Sequence, residues 1–214
     1  MKLTQIIKKV NNTEIGAATT HETYVLVTQN LIVEDVFEEL EKQYPFVCKQ
    51  NGKTYLIRLT SGRERRIVGL GPFYSDVKIE AGDEVLFEKI EKNGSDPEYY
   101  ISVKKFDDNI VLIKKKIGFE VLTPNRLKLL TPNSYIVQDG IRKPFKIVFK
   151  ESKKKRADSP DKTNFYSAQI GDSDIGSEYK NNDLLELVIN DDDVRIRRFQ
   201  PWERYVFVME GKNE

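Results

Sequence analysis

The sequence is poor in the residues from which covalent and metal-held sites are made: it has one cysteine, Cys48, and one histidine, His21. A lone cysteine excludes an internal disulfide, and one Cys with one His supplies no zinc-ligand set. A Cys–His nucleophile would have to pair Cys48 with His21, but Cys48 ends the apolar phrase Pro45-Phe46-Val47-Cys48, which reads as core packing. No apolar run approaches the ~20 residues that cross a bilayer. The opening residues lack the apolar stretch and cleavage site of a secretory signal, so a cytoplasmic protein is expected. The Gly-x-x-x-x-Gly-Lys-Ser/Thr loop is missing too, which argues against nucleotide binding, and no cofactor or metal is expected. Neither sign of charge dominates, with 35 basic against 34 acidic residues and a net charge of +1, so bulk electrostatics gives no general attraction to nucleic acid. Attraction of that kind has to come from local clusters.

Such clusters are present: Arg63, Arg65 and Arg66; Lys114, Lys115 and Lys116; and Lys153 to Arg156. Any one of them can equally be a solvated face. With 214 residues, 39% hydrophobic and 32% charged, the chain is long enough for two modest domains with heavily charged surfaces. Period-2 alternation and β-branched or aromatic content predict strands over Thr23–Val27, Thr54–Leu59, Glu64–Val68, Glu84–Ile90 and Glu98–Val103. Between the first two, Glu34–Gln43 sets Val36, Phe37 and Leu40 on one face behind an acidic first turn, which predicts an amphipathic helix of about three turns. GLGP, AGD and NGSDP read as turns. Many short strands with one helix suggest a closed or nearly closed barrel. The charged stretch Lys104–Asp108 marks a boundary between a first domain, residues 1–105, and a second, residues 106–214.

The second half remains β-rich, with strands predicted over Ile110–Ile113, Gly118–Leu122, Ser134–Val137, Phe145–Phe149, Leu184–Ile189 and Val194–Phe199. Ser152–Lys162 is polar almost throughout and reads as an exposed loop. One internal echo is visible. YLIRLTSGRERR followed by IEAGDEVLFEKI resembles KIVFKESKKKR followed by YKNNDLLELVI, and the match fits either chance recurrence in β proteins or a degenerate second copy.

Two loops of the first half have a composition that a barrel alone does not require. Asn11–Glu22 (NNTEIGAATTHE) follows Lys8 and Lys9 and combines small residues with hydroxyls, an amide, carboxylates and the histidine. Small residues let a backbone approach a groove, and these polar side chains suit base edges; the alternative is an ordinary polar connection turned by Gly16. Thr60–Arg66 (TSGRERR) offers arginine forks that match guanine or phosphate, and Glu64, which can accept from a cytosine amine. Its alternative is a solvated hairpin end.

Taken together, residues 5 to 105 resemble the DNA-binding domains of the restriction enzymes EcoRII and BfiI, whose fold is shared with plant B-three transcription-factor domains. Glu14-Ile15-Gly16 stands where that family has Asp-Thr-Gly, His21-Glu22 where it has His-Gln, and Ala81-Gly82-Asp83 matches its turn before a closing strand. Glu14 is longer than Asp, and Glu22 cannot donate as Gln does, so this arm's base preference should differ from the family's. The resemblance implies a mainly β fold: a seven-stranded pseudobarrel with one or two short helices, plus a second β-rich domain of unknown role. It implies two arms projecting from one side to grip the major groove of double-stranded DNA. Lys8, Lys9, Asn12, Thr13, Glu14, Thr19, Thr20, His21 and Glu22 would belong to one arm, and Ser61, Arg63, Glu64, Arg65 and Arg66 to the other. Such a domain serves target recognition in a bacterial restriction system and does not itself catalyse. Its partner would be a nuclease subunit or fused effector, as at the specificity end of a restriction subunit of the McrB or LlaJI kind. Two competing readings are a protein-interaction β module and a metal-dependent nuclease. The nuclease would use Asp161, Glu178 and Lys180, in a loose Pro-Asp and Glu-x-Lys pattern whose first member falls in a polar loop.

Overall fold

The computed structural model describes residues 1–16, 22–28, 31–154 and 162–209. The chain is mainly β and divides into two compact units, one built from Met1–Lys105 with the stretch that begins at Pro201, the other from Phe106–Gln200.

The first unit contains β1 (Lys2–Lys9), β2 (Val25–Leu26), β3 (Tyr44–Cys48), β4 (Thr54–Leu59), β5 (Arg66–Val68), helix α1 (Gly71–Val77), β6 (Glu84–Glu91) and β7 (Glu98–Lys104). These seven strands curl in the order β1-β6-β7-β3-β4-β5-β2, all neighbours antiparallel except the β3–β7 pair. The ends of the curl meet beyond the strands, where Ile15 bridges Thr23 and the Tyr24 amide donates to the Glu14 carbonyl at 3.1 Å. The result is a seven-stranded pseudobarrel. Alternation fills it: every second residue of Thr54–Leu59 is buried, and Ile6, Phe46, Ile57, Ile67, Val85 and Ile101 are fully inside. Phe37 packs its ring on Phe46 and Phe87, with centroids 5.5 and 5.9 Å away. Cys48 lies in the same core.

Phe37 belongs to the segment expected as a helix, and that helix is not formed. Over Glu34–Gln43 the chain makes a single turn from Val33, whose carbonyl accepts from Val36 and Phe37 at 3.0 and 2.9 Å. The Tyr44 hydroxyl then accepts from the Glu39 amide at 2.7 Å, and Glu41, left-handed at φ 62°, donates its amide to the Leu59 carbonyl. Leu40, expected on the apolar stripe, is 51% exposed. A ten-residue helix is marginal by itself, so these tertiary anchors outcompete its internal bonds. The helix forms at Gly71–Val77 instead, with proline in its first turn and Phe73 and Tyr74 buried. The GLGP read as a turn is its approach: Gly69 sits at φ 91°, and a Cβ there would lie 2.3 Å from the Leu56 carbonyl oxygen.

The second unit contains β8 (Asn109–Lys114), β9 (Phe119–Val121), a 3-10 helix (Pro124–Leu129), β10 (Tyr135–Gln138), β11 (Ile141–Lys154), β12 (Lys162–Ile170) and β13 (Ser173–Asp174). A second 3-10 helix (Ile175–Glu178), β14 (Leu184–Asn190) and β15 (Asp193–Arg198) complete it. Its strands run β8-β14-β15-β10-β11-β12-β9 and close back on β8, making a barrel around Ile110, Leu112, Phe119, Phe145, Leu185 and Leu187. Polar members of this interior are linked to one another: Glu186 accepts from Asn109 Nδ2 and Arg197 Nε, both at 2.7 Å, and Arg126 donates to Asn109. The loop expected over Ser152–Lys162 is narrower than its composition suggests. Ser152–Lys154 continue β11 and Lys162 opens β12, Lys154 opposite Lys162, while residues 155–161 lie outside the described part.

A last strand, β16 (Trp202–Val208), pairs antiparallel along the whole of β1, from Lys2 opposite Val208 to Lys8 opposite Trp202. Residues 201–209 therefore belong with the first unit and not with residues 106–200, as the boundary at residues 104–108 groups them. A strand's own residues do not name its partner, and β1 had an open edge.

The single turn around Phe37 makes a specific prediction for urea unfolding of the first unit. Phe37→Ala should cost about 3–5 kcal/mol, the range for removing a buried ring. Leu40→Ala should stay within ~0.5 kcal/mol, as at an exposed position. Comparable losses at both sites would restore the helix.

Candidate nucleic-acid interface

β2 and β5 form a short ribbon in which Val25 faces Ile67 and Leu26 faces Arg66. The first arm leads into the start of β2 and the second into the start of β5. Because the strands are antiparallel, the arms leave opposite ends of a ribbon only two paired positions long.

The root of the first arm is built from Asn11 and Glu14 in a reciprocal cap. Asn11 Oδ1 accepts from the Thr13 and Glu14 amides at 2.9 and 3.1 Å, and Glu14 Oε2 accepts from the Asn11 amide at 3.1 Å. The other carboxylate oxygen accepts from the Leu26 amide at 3.2 Å and lies 3.0 Å from Lys8 Nζ. Glu14 is 3% exposed, and Lys8 lies against the Trp202 ring, 5.3 Å from its centroid. One carboxylate thus ties β1, the arm and β2 together. Lys9 is also buried, its ammonium 3.7 Å from Glu84. Thr13 and Glu22 are exposed and Asn12 half-buried, while Thr19, Thr20 and His21 lie outside the described residues.

The arginines of the second arm fall into different settings. Arg65 donates to the Thr28 and Leu31 carbonyls at 3.2 and 3.1 Å and pairs with Glu34, clamping the segment after β2. Arg66 lies over the Tyr24 ring, 4.3 Å from its centroid, and pairs with Glu64 at 2.9 Å and Glu22 at 3.4 Å. The Glu64 carboxylate raises its pKa above the ordinary arginine value. Since Glu22 closes the first arm and Glu64 belongs to the second, this guanidinium joins them on one face of the ribbon. Ser61 donates its amide and hydroxyl to Glu41 at 2.8 and 2.9 Å, and the amide bond leads the effects that hold that carboxylate below its usual pKa. Arg63 is exposed and has no ion pair or hydrogen bond among the described residues.

Tyr24, Glu34 and Glu41 escaped sequence reasoning. Their signal is weak: an aromatic at the mouth of a strand, and two acids in a stretch read as helix. The residues of the nuclease alternative are not brought onto adjoining core strands. Glu178 ends a 3-10 helix and Lys180 opens the turn before β14, both exposed, while Asp161 lies outside the described residues. Among the described residues no three His, Cys, Asp or Glu side chains are grouped to hold a metal, and no helix is long and apolar enough to cross a membrane.

The chain matches no protein-family model and no curated protein. Among solved structures it is similar to the N-terminal domain of Helicobacter pylori LlaJI.R1, with 12% identity and a TM-score of 0.35 over 50% of this chain and 82% of that one.

The buried Lys8–Glu14 pair sets a stability test. Glu14→Ala strands an ammonium in the interior and should cost about 3–5 kcal/mol in chemical denaturation, whereas the double variant Lys8→Met, Glu14→Leu should recover much of it. Arg63→Ala should leave the midpoint unchanged. An unaltered midpoint for Glu14→Ala would mean that the carboxylate is not a fastener.

Proposed function

We propose that the chain recognises a specific sequence of double-stranded DNA through its two arms in the major groove, as the non-catalytic target-recognition part of a bacterial restriction system. The observation that carries the reading is the unequal use of the second arm's arginines. Arg65 and Arg66 are held by carboxylates, carbonyls and a ring, which fixes the arm's shape, while Arg63 is exposed and its fork is unengaged among the described residues. A rigid arm that presents a free guanidinium is preorganised for guanine or phosphate. The resemblance of residues 5 to 105 to the restriction-enzyme DNA-binding domains supports the same reading, and the seven-stranded curl agrees with it.

In this proposal Glu14 and Lys8 are fasteners of the first arm, and Lys9 is likewise internal. Asn12, Thr13 and Glu22 supply that arm's described polar surface, and Thr19, Thr20 and His21 are included on their sequence alone. Ser61 and Arg65 shape the second arm, Arg66 joins it to the first, and Arg63 and Glu64 face the duplex. A carboxylate near phosphates is repelled, so Glu64 is tolerated because it aims Arg66 or accepts from a cytosine amine. The effector that cuts would be a partner subunit or a fused domain.

Binding to a duplex chosen from a random pool, compared with an unrelated duplex, tests this reading. Arg63→Ala should cost roughly 1–3 kcal/mol on the chosen sequence and much less on the other. Glu64→Ala should tighten binding to the unrelated duplex and narrow the ratio between the two. Ratios unchanged in both variants would remove the second arm from base reading.

A further inference from the structure

The two units follow one circuit. Replacing β1, β2, β3, β4, β5, β6 and β7 by β8, β9, β10, β11, β12, β14 and β15 converts every pairing among those seven strands into a pairing of the second unit, β16 having no counterpart, and the parallel contact of β3 with β7 becomes the parallel contact of β10 with β15. The agreement extends to individual hydrogen bonds before the sixth strand. In the first unit Val10 donates to the Asp83 carbonyl, Gly82 to Val10, Asp83 to Glu80, and the Asp83 side chain accepts from the Glu80 amide at 2.8 Å. In the second, Lys114 donates to Asp183, Asn182 to Lys114, Asp183 to Lys180, and the Asp183 side chain accepts from the Lys180 amide at 2.9 Å. Gly82 and Asn182 are both left-handed, at φ 94° and 73°. These are the AGD and NND of the sequence echo, so that echo marks a second copy of the fold.

The copies differ where the arms stand. The connection from β8 to β9 shrinks to a tight turn, Lys115 donating to the Gly118 carbonyl at 2.7 Å, in place of the loop from Asn11 to Glu22. The connection from β11 to β12 is instead extended as a two-stranded ribbon, with Ser152 opposite Asn164, Lys153 opposite Thr163 and Lys154 opposite Lys162. Lys154 and Lys162 are exposed and have no ion pair or hydrogen bond among the described residues; Lys153 reaches Glu151 only at 3.6 Å. Like charges placed directly opposite on a ribbon repel, and a polyanion laid across them turns that cost into attraction.

We propose that the second unit is a second duplex-DNA module, whose β11–β12 ribbon holds the phosphate backbone through Lys153, Lys154 and Lys162 and adds affinity without base discrimination. A two-stranded ribbon has the width that the major groove admits. The cations placed across its outer end, Lys153, Lys154 and Lys162, are lysines, point charges suited to phosphate. With the first arm reduced to a turn, no second jaw fixes register on the bases. The assignment of DNA as the polyanion rests on the function proposed for the first unit.

The test uses the full chain and the combined variant Lys153→Gln, Lys154→Gln, Lys162→Gln, with fluorescence anisotropy on the chosen and the unrelated duplex over a range of salt. The variant should bind both duplexes more weakly by the same factor, with the slope of log K against log salt shallower by about 2 to 3 and the ratio between duplexes intact. All three positions are exposed strand residues, so its thermal midpoint should equal or exceed the parent's. Unchanged affinity and slope in a parent that still discriminates would overturn this inference alone. A parent that binds both duplexes equally, with the variant weakened, would overturn the first unit's base reading and keep this one. Loss seen only on phosphatidylserine vesicles, and not on either duplex, would replace DNA by a lipid surface and overturn the proposal.

Discussion

The Glu14 carboxylate holds the seam on which the first unit depends. A curled sheet whose strands β1 and β2 do not pair must be fastened where those strands are joined, and here one buried side chain accepts from the amides of Asn11 and Leu26 and pairs with Lys8. A buried charge pair is stabilising only when its remaining lone pairs are satisfied, and this one meets the condition with two backbone donors. Consequently the loop before β2 starts from a rigid root, and the β2–β5 ribbon keeps a fixed place between the arms.

The rest of the site follows a similar economy of charge. A chain with a net charge of +1, 35 basic against 34 acidic residues, cannot rely on its overall field. In the second arm Arg65 and Arg66 set local geometry against Glu34, Glu64 and Glu22, so exposed charge is concentrated at Arg63. In the second unit two exposed lysines stand opposite each other on a ribbon, Lys154 facing Lys162. One fold is thereby fitted with two different extremities, a fork in the first unit and a row of point charges in the second.

Much of the fold was legible in the sequence because strands that face a core on one side must alternate, as Thr54–Leu59 does, and because the turn before β6 needs a left-handed residue, as AGD supplies. The NND of the second unit carries the same signal in a weaker form, since Asn adopts that conformation at some cost. The helix expected at Glu34–Gln43 failed because periodicity cannot register a tyrosine hydroxyl or a neighbouring strand competing for backbone groups. Within the site, residue types were easier to find than their uses. Glu14 reads as a base contact by its polarity in a small-residue loop, while Asn11-x-x-Glu14 also fits a cap, and in the structure it forms that cap and is buried. Tyr24 was passed over because it is half-buried at a strand mouth, where an aromatic has ordinary packing reasons to occur.

Selection of bound duplexes from a fully randomised pool by the whole chain, followed by titration of the enriched sequence against salt, tests the central claim most directly. The account predicts enrichment of one short sequence, with affinity falling steeply and linearly as log K against log salt. A pool that stays random after repeated rounds, with retention insensitive to salt, would contradict it.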